Sequence, residues 1–108
     1  MAKYDYDFRI DLAQLRRTEA ELVQLTQADR EYWLLKAVRA RLHADLRKSK
    51  DFNRKKEASY NQIFVEDVDL NAAIAECEHR GIAEVEIGDA YDRERQALKD
   101  EDIYGGHS

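Results

Sequence analysis

The chain has 108 residues, a net charge of −5, a single cysteine and no proline. This length predicts one domain, residues 1–108, that folds without disulfides or a structural metal. A lone cysteine cannot form an intramolecular disulfide, and no apolar run approaches the ~20 residues that a membrane span needs. With no signal-type segment either, we expect a cytoplasmic protein that does not enter the membrane.

Charge is divided unevenly between the two halves of the chain. Residues 1–56 contain 14 lysines and arginines against 9 acidic residues, whereas residues 57–108 contain 4 against 14. Such a division is compatible with separate basic and acidic binding surfaces, with head-to-tail self-association, or with neutralisation between the halves on folding. The sequence leaves these three possibilities open.

The N-terminal residues 3–11 alternate charged side chains with aromatic or apolar ones. The alternating aromatic and apolar residues are Tyr4, Tyr6, Phe8 and Ile10. A period of two predicts a half-buried strand at the edge of a sheet. Asp11 is then expected to cap a helix that begins at Leu12.

The stretch Thr26–Lys48 has the clearest helical pattern in the chain. Its large apolar residues form one stripe that is expected to face the core: Leu34, Leu35, Val38, Leu42 and Leu46. On the other side Trp33, Ala37, Ala40 and Ala44 form a second seam, which is either surface alanine or a contact for another helix. Polar residues between the seams are expected to be solvated. A capping-box-like pair, Thr26 and Asp29, favours a turn or kink before this helix, although one continuous helix over 12–48 stays open.

The second half of the chain predicts short elements. A basic loop over 47–56 is followed by a strand at 63–65 and by a helix that Asp69 caps and Gly81 ends. Alternation over 82–87 predicts another strand, Gly88 and Asp89 a turn, and 90–99 a final helix before a flexible tail over 101–108. The predicted fold is α+β and helix-dominated: an N-terminal strand, two long helices as a hairpin or a kinked pair, then strand, helix, strand and helix. Residues 3–48 form the first unit and 57–100 the acidic mixed half.

Side chains that carry chemistry do not form a recognisable site. Cys77 and His79 are two residues apart on a helix, so they point in nearly opposite directions and cannot bind one metal ion. Glu76 and Glu78 beside Cys77 disfavour a thiolate. We therefore expect no metal, no cofactor and no enzymatic activity.

Three functions from different classes remain. The first is a non-enzymatic adaptor or inhibitor, of phage or antitoxin type, that binds a protein partner and forms a homo-oligomer, with a dimer favoured. The residues expected to bind the partner are Trp33, Ala37, Ala40, Ala44, Glu84, Glu86, Asp89 and Asp92. The second is a dimeric nucleic-acid-binding regulator, whose expected phosphate contacts in the basic loop are Lys48, Lys50, Arg54, Lys55 and Lys56. The third is a structural subunit of a larger assembly.

The order of elements in residues 3–48 resembles the ribbon-helix-helix family of dimeric DNA-binding proteins. The stretch YDYDFRID would be the ribbon and TQADREYWLLKAVRARL the second helix. This resemblance implies a dimer that places the ribbon in the major groove. The ribbon offers Asp5, Asp7 and Arg9, however, where the family carries mainly basic or neutral polar residues, and two carboxylates facing phosphates repel DNA.

Overall fold

The structure, a computed structural model, describes residues 8–50, 52, 63–64 and 66–101, and within these it is all-helical with no strand. Among these residues the helices, in chain order, are α1 (Phe8–Leu22), α2 (Arg30–Lys48), α3 (Leu70–His79) and α4 (Glu84–Asp100). The α+β prediction is therefore wrong. Residues 3–7 of the predicted N-terminal strand, half of the basic loop (51 and 53–56) and the tail beyond Glu101 lie outside the described residues.

The N-terminal alternation was misread because its last four residues belong to a helix. Phe8 begins α1, so the ribbon of the ribbon-helix-helix resemblance is helical at least from that residue onward. Asp11 is an interior residue of α1 and not its cap. The buried face of α1 runs through Asp11, Leu15, Thr18 and Leu22, at the spacings of four, three and four that a helix requires.

The strand predicted over 82–87 is also wrong, since Glu84 already begins α4. A short alternation of apolar and charged residues can occur both in a strand and in the first turn of a helix. The residues that decide are further along, where Ile87, Ala90, Tyr91 and Leu98 are buried at helical spacing. Val85, expected on the buried face with Ile87, is exposed. Gly88 and Asp89 consequently lie inside α4 and form no turn.

The predicted ends of the central helices are mostly confirmed. Two separate helices occupy 8–48, and between them the backbone N–H of Thr26 donates to Asp29 Oδ2 over 2.9 Å. Asp29 is the N-cap and α2 begins at Arg30, four residues after Thr26. Asp69 caps α3 by accepting from the N–H of Ala72 over 3.2 Å. Gly81 follows this helix with a positive φ of 82°, which glycine adopts at little cost.

Two elements of the predicted loop region differ from expectation. Arg47 and Lys48 are the last residues of α2, and Ser49 is its C-cap. Ile63 is helical and Phe64 lies in a turn, so the predicted strand at 63–65 is wrong for the two residues described, while Val65 lies outside them. Within the described ranges, none of the helices is long and apolar enough to cross a membrane.

Helix α2 is the centre of the molecule. It packs against α1, α3 and α4, and its buried residues lie on all sides of the helix. They are Leu34, Leu35, Ala37, Val38, Arg39, Ala40, Leu42, His43 and Leu46. The helix thus buries both of the apolar sides seen in the sequence and part of the polar flank between them.

Charges of the two halves neutralise one another across the folded chain. Four arginines of the first half each bind an acidic residue of the second. These pairs are Arg17 with Glu94 and Glu101, Arg30 with Glu86, Arg39 with Glu66, and Arg47 with Asp67. The asymmetry along the sequence is therefore in large part an internal complementarity, one of the three possibilities left open.

A buried polar network joins α1 to α4. The Asp11 side chain is fully buried and binds Arg95, whose Nε also donates to Gln14 Oε1 over 3.1 Å. Gln14 Nε2 donates in turn to the carbonyl of Tyr91 over 2.9 Å. Because a buried carboxylate without its cation costs several kcal/mol, this network fixes how α4 is placed on α1.

We predict that Asp11→Ala lowers the free energy of unfolding by about 3–5 kcal/mol, because it leaves Arg95 partly buried without its anion. Urea denaturation followed by circular dichroism measures the change. The matched control is Asp11→Leu combined with Arg95→Met, an apolar pair that should recover most of the loss. A loss below about 1 kcal/mol for Asp11→Ala would contradict a structural role for the pair.

Candidate functional site

In the seam of α2 that was predicted to bind a partner, Ala37 and Ala40 are buried inside the chain, whereas Trp33 and Ala44 are half-buried. Ala37 and Ala40 belong to the same buried cluster as Ala73 and Cys77 of α3. Trp33 also faces α3, since its carbonyl accepts from Cys77 Sγ over 3.3 Å and its ring lies 3.7 Å from the guanidinium of Arg80. The helix that the seam was expected to receive is therefore supplied by the same chain.

The predicted acidic residues of α4 divide into two groups. Glu84, Asp89 and Asp92 are exposed. Glu86 is engaged, since both of its carboxylate oxygens accept from Arg30 over 2.9 Å and one also accepts from the N–H of Ala83. The hydrogen bonds from Arg30 lower the pKa of Glu86, so it remains an anion held by α2.

The predicted phosphate-binding residues are not brought together within the described residues. Lys48 ends α2 and Lys50 lies two residues later, and both are exposed. Arg54, Lys55 and Lys56 lie outside the described residues. The nearest arginine, Arg47, binds Asp67.

A groove of about 400 Å³ lies between α1, α2 and α4. Its floor is Leu35 and Val38 of α2, and Glu31 stands at the start of the same helix. The walls are formed by Thr18 and Glu21 of α1 and by Ala90, Arg93, Glu94 and Ala97 of α4. Thr18 of α1 and Ala90 and Ala97 of α4 have small side chains, which leaves the space between the helices unfilled.

The electrostatics of the groove are dominated by carboxylates. Three glutamates, Glu21, Glu31 and Glu94, line it against one arginine, Arg93. Burial, followed by repulsion from Glu94 and Glu31, raises the pKa of Glu21, and Arg17 opposes this only in part. Glu94 is already paired with Arg17, so a cation placed in the groove would act mainly on the charges of Glu21 and Glu31.

Cys77 and Tyr91, whose side chains could take part in catalysis, do not line the groove. Burial, together with Glu76, raises the pKa of Cys77, which keeps the thiol protonated. The Tyr91 hydroxyl donates to Asp45 Oδ2 over 2.7 Å, and burial raises its pKa as well. Over the residues that the structure describes, no three histidine, cysteine or acidic side chains are placed to hold a metal ion.

No protein family model, curated protein or solved structure matches the chain. The function must therefore be argued from the geometry of the groove and of the polar clusters.

The sequence reasoning missed the groove because it looked for acidic residues in the acidic half. Glu21 and Glu31 come from the basic half and meet Glu94 only after α1 and α4 are placed on α2. One signal was present, since Ala90, Glu94 and Ala97 share one line along α4. What the sequence lacked was the identity of the helix that faces that line.

We predict that Ala40→Glu unfolds or strongly destabilises the chain, by at least about 3 kcal/mol, because it places a carboxylate in the core. If the seam were an exposed interface, the same substitution would instead separate an oligomer and spare the fold. Thermal unfolding and light scattering measure both quantities. Ala75→Glu, at an exposed alanine of α3, is the control and should change stability by no more than about 0.5 kcal/mol. A well-folded Ala40→Glu variant of lower mass would restore the seam as an interface.

Proposed function

We propose that the chain is a non-enzymatic interaction protein that binds a basic segment of a protein partner in the groove between α1, α2 and α4. The observation that carries the proposal is the pairing of an apolar floor with three glutamates around one concave space. Such a site suits a segment that presents lysine or arginine beside an apolar side chain.

The groove is a better candidate than the outer face of α4. Glu84, Asp89 and Asp92 form an acidic surface on a convex helix, where charges are solvated and contribute little to affinity. In the groove, the concave shape would enclose a partner side chain on several sides, although Leu35 and Val38 beneath it are themselves buried. Affinity then comes from this enclosure, and the glutamates select a cationic partner.

Nucleic-acid binding is supported less well by the described residues. Arg17, Arg30, Arg39 and Arg47 each bind a carboxylate of the second half. A phosphate would have to compete with these internal anions, which weakens the contribution of each arginine to DNA affinity.

The proposal is tested with a fluorescent amphipathic peptide that carries arginine and lysine on one face and leucine on the other. We predict that Glu21→Gln combined with Glu31→Gln weakens its binding by about tenfold, because two partly exposed charge pairs contribute roughly 1–2 kcal/mol. Fluorescence anisotropy at low salt measures the affinity. Ala97→Phe should also weaken binding, since it fills the groove without changing its charge.

The matched control is Glu84→Gln combined with Asp92→Asn, which removes the same net charge from the exposed residues of α4. It should leave the affinity within about twofold, because distant exposed charges are screened. Equal losses in both charge variants would contradict binding in the groove. Preferential binding of duplex DNA over the peptide would favour the nucleic-acid alternative.

A further inference from the structure

A second polar cluster, here called the clamp, lies toward the C-terminal end of α2 and is separate from the groove. Three residues of α2 spaced four apart, Arg39, His43 and Arg47, share one side of the helix. They hold a short stretch of the chain that precedes α3. The residues held are Phe64, Glu66 and Asp67.

The contacts of the clamp are polar and aromatic. His43 Nδ1 lies 3.0 Å from Asp67 Oδ1, and Arg47 binds the other carboxylate oxygen. Arg39 donates to Glu66 Oε1 over 3.2 Å. The Phe64 ring packs edge to face on His43, with 5.2 Å between the ring centroids. These contacts attach the stretch that leads into α3 to the surface of α2.

His43 is the buried member of the clamp. Its side chain is 1% exposed, and Nε2 has no hydrogen-bond partner among the described residues. With Nδ1 as the donor to Asp67, the neutral ring leaves only a lone pair on Nε2. A second proton would place a positive charge in a buried position beside Arg39, which among the described residues only Asp67 and the backbone of Ile63 favour.

The stretch held by the clamp is also strained. Glu66 has a φ of +55°, in the left-handed region that residues with a side chain adopt at a cost in free energy. Such a conformation persists only while its surroundings hold it. The Arg39 contact supplies one such restraint. Release from α2 would let the backbone of Glu66 relax.

We propose that His43 is an acid-sensitive latch: protonation of its ring detaches Glu66 and Asp67 from α2. The groups that act on the ring come from each neighbouring element. Asp67 and the backbone of Ile63 attract the proton, whereas Arg39 of α2 repels it; Arg47 binds Asp67. Glu66 and Glu19 affect the protonation of the ring indirectly, because both lie close to Arg39.

The direction of the pH dependence follows from burial. Burial lowers the pKa of His43 below its ordinary 6.5, outweighing Asp67. The open state, in which the ring is solvated, binds the proton more readily, so opening becomes easier as the pH falls below about 6.5. The hydrogen bond from Arg47 lowers the pKa of Asp67, which therefore stays charged in this range. Outside the clamp, burial raises the pKa of Glu19 and Glu21, and these groups have the opposite effect on stability.

The test is hydrogen exchange of the Asp67 amide, which donates to the Phe64 carbonyl over 3.2 Å, between pH 7 and pH 5 in the whole chain, corrected for intrinsic exchange. For the wild type we expect the opening constant to rise by up to about tenfold for each pH unit below 6.5. His43→Asn keeps a donor toward Asp67 and cannot titrate, so its opening constant should stay flat. His79→Gln, which alters an exposed histidine at the end of α3, should behave like the wild type. A flat wild-type profile, or an equal rise in His43→Asn, would overturn the latch.

A second measurement tests the proposal even if His43→Asn fails to fold. The ring signals of His43 in the wild type should titrate with a midpoint below 6.5. Asp67→Asn removes the attracting carboxylate and should move this midpoint further down. A wild-type midpoint at or above 6.5, or one that Asp67→Asn leaves unchanged, would contradict the proposal.

Discussion

The burial of α2 on nearly every side is the constraint on which the rest of the structure depends. A helix enclosed by three others must bury polar as well as apolar side chains, and each buried polar group needs a partner. Arg39 and His43 find theirs in Glu66 and Asp67, and Asp45 accepts from Tyr91. The partners of the central helix thus come from the second half of the chain, which explains why acid accumulates there.

The charge asymmetry between the two halves of the chain has a structural role in the fold. In the sequence, a basic half followed by an acidic half invites a search for two external ligands. In the fold, Arg30 binds Glu86 and Arg17 binds Glu94 and Glu101, so much of the asymmetry is used to join the halves. Exposed pairs of this kind add little stability individually. Their geometric effect is larger, since each specifies which face of α4 meets the earlier helices.

The sequence predicted the helices with long periodic patterns and strong ends, and failed where the pattern was short. Lys48 as the end of α2, the Asp69 cap of α3 and the break before α2 were all read from local chemistry that the fold retains. The strands at 3–11 and 82–87 rested on a few alternating residues, and such runs do not distinguish a strand from a helix terminus.

The polar flank of α2 shows a second reason why the sequence did not predict part of the structure. His43 lies between apolar stripes and was expected to be solvated, because histidine and arginine usually are. Its burial depends on Asp67 and Phe64, residues more than twenty positions away, and on how the chain returns to α2. The same holds for the groove, whose walls come from α1 and α4. Local patterns therefore predict elements better than sites.

The groove and the buried Asp11–Arg95 pair are physically linked. Apolar side chains at the line of Ala90 and Ala97 are too short to bring α4 into full contact with α1 beside Thr18. The two helices are instead joined by long polar side chains, Arg95 to Asp11 inside and Arg17 to Glu94 near the surface. Because Arg17 is 40% exposed, its pairs are screened and contribute little, whereas the Asp11–Arg95 pair is protected from solvent. The internal pair therefore sets the distance between the walls, and with it the width of the space in which a cationic segment would lie.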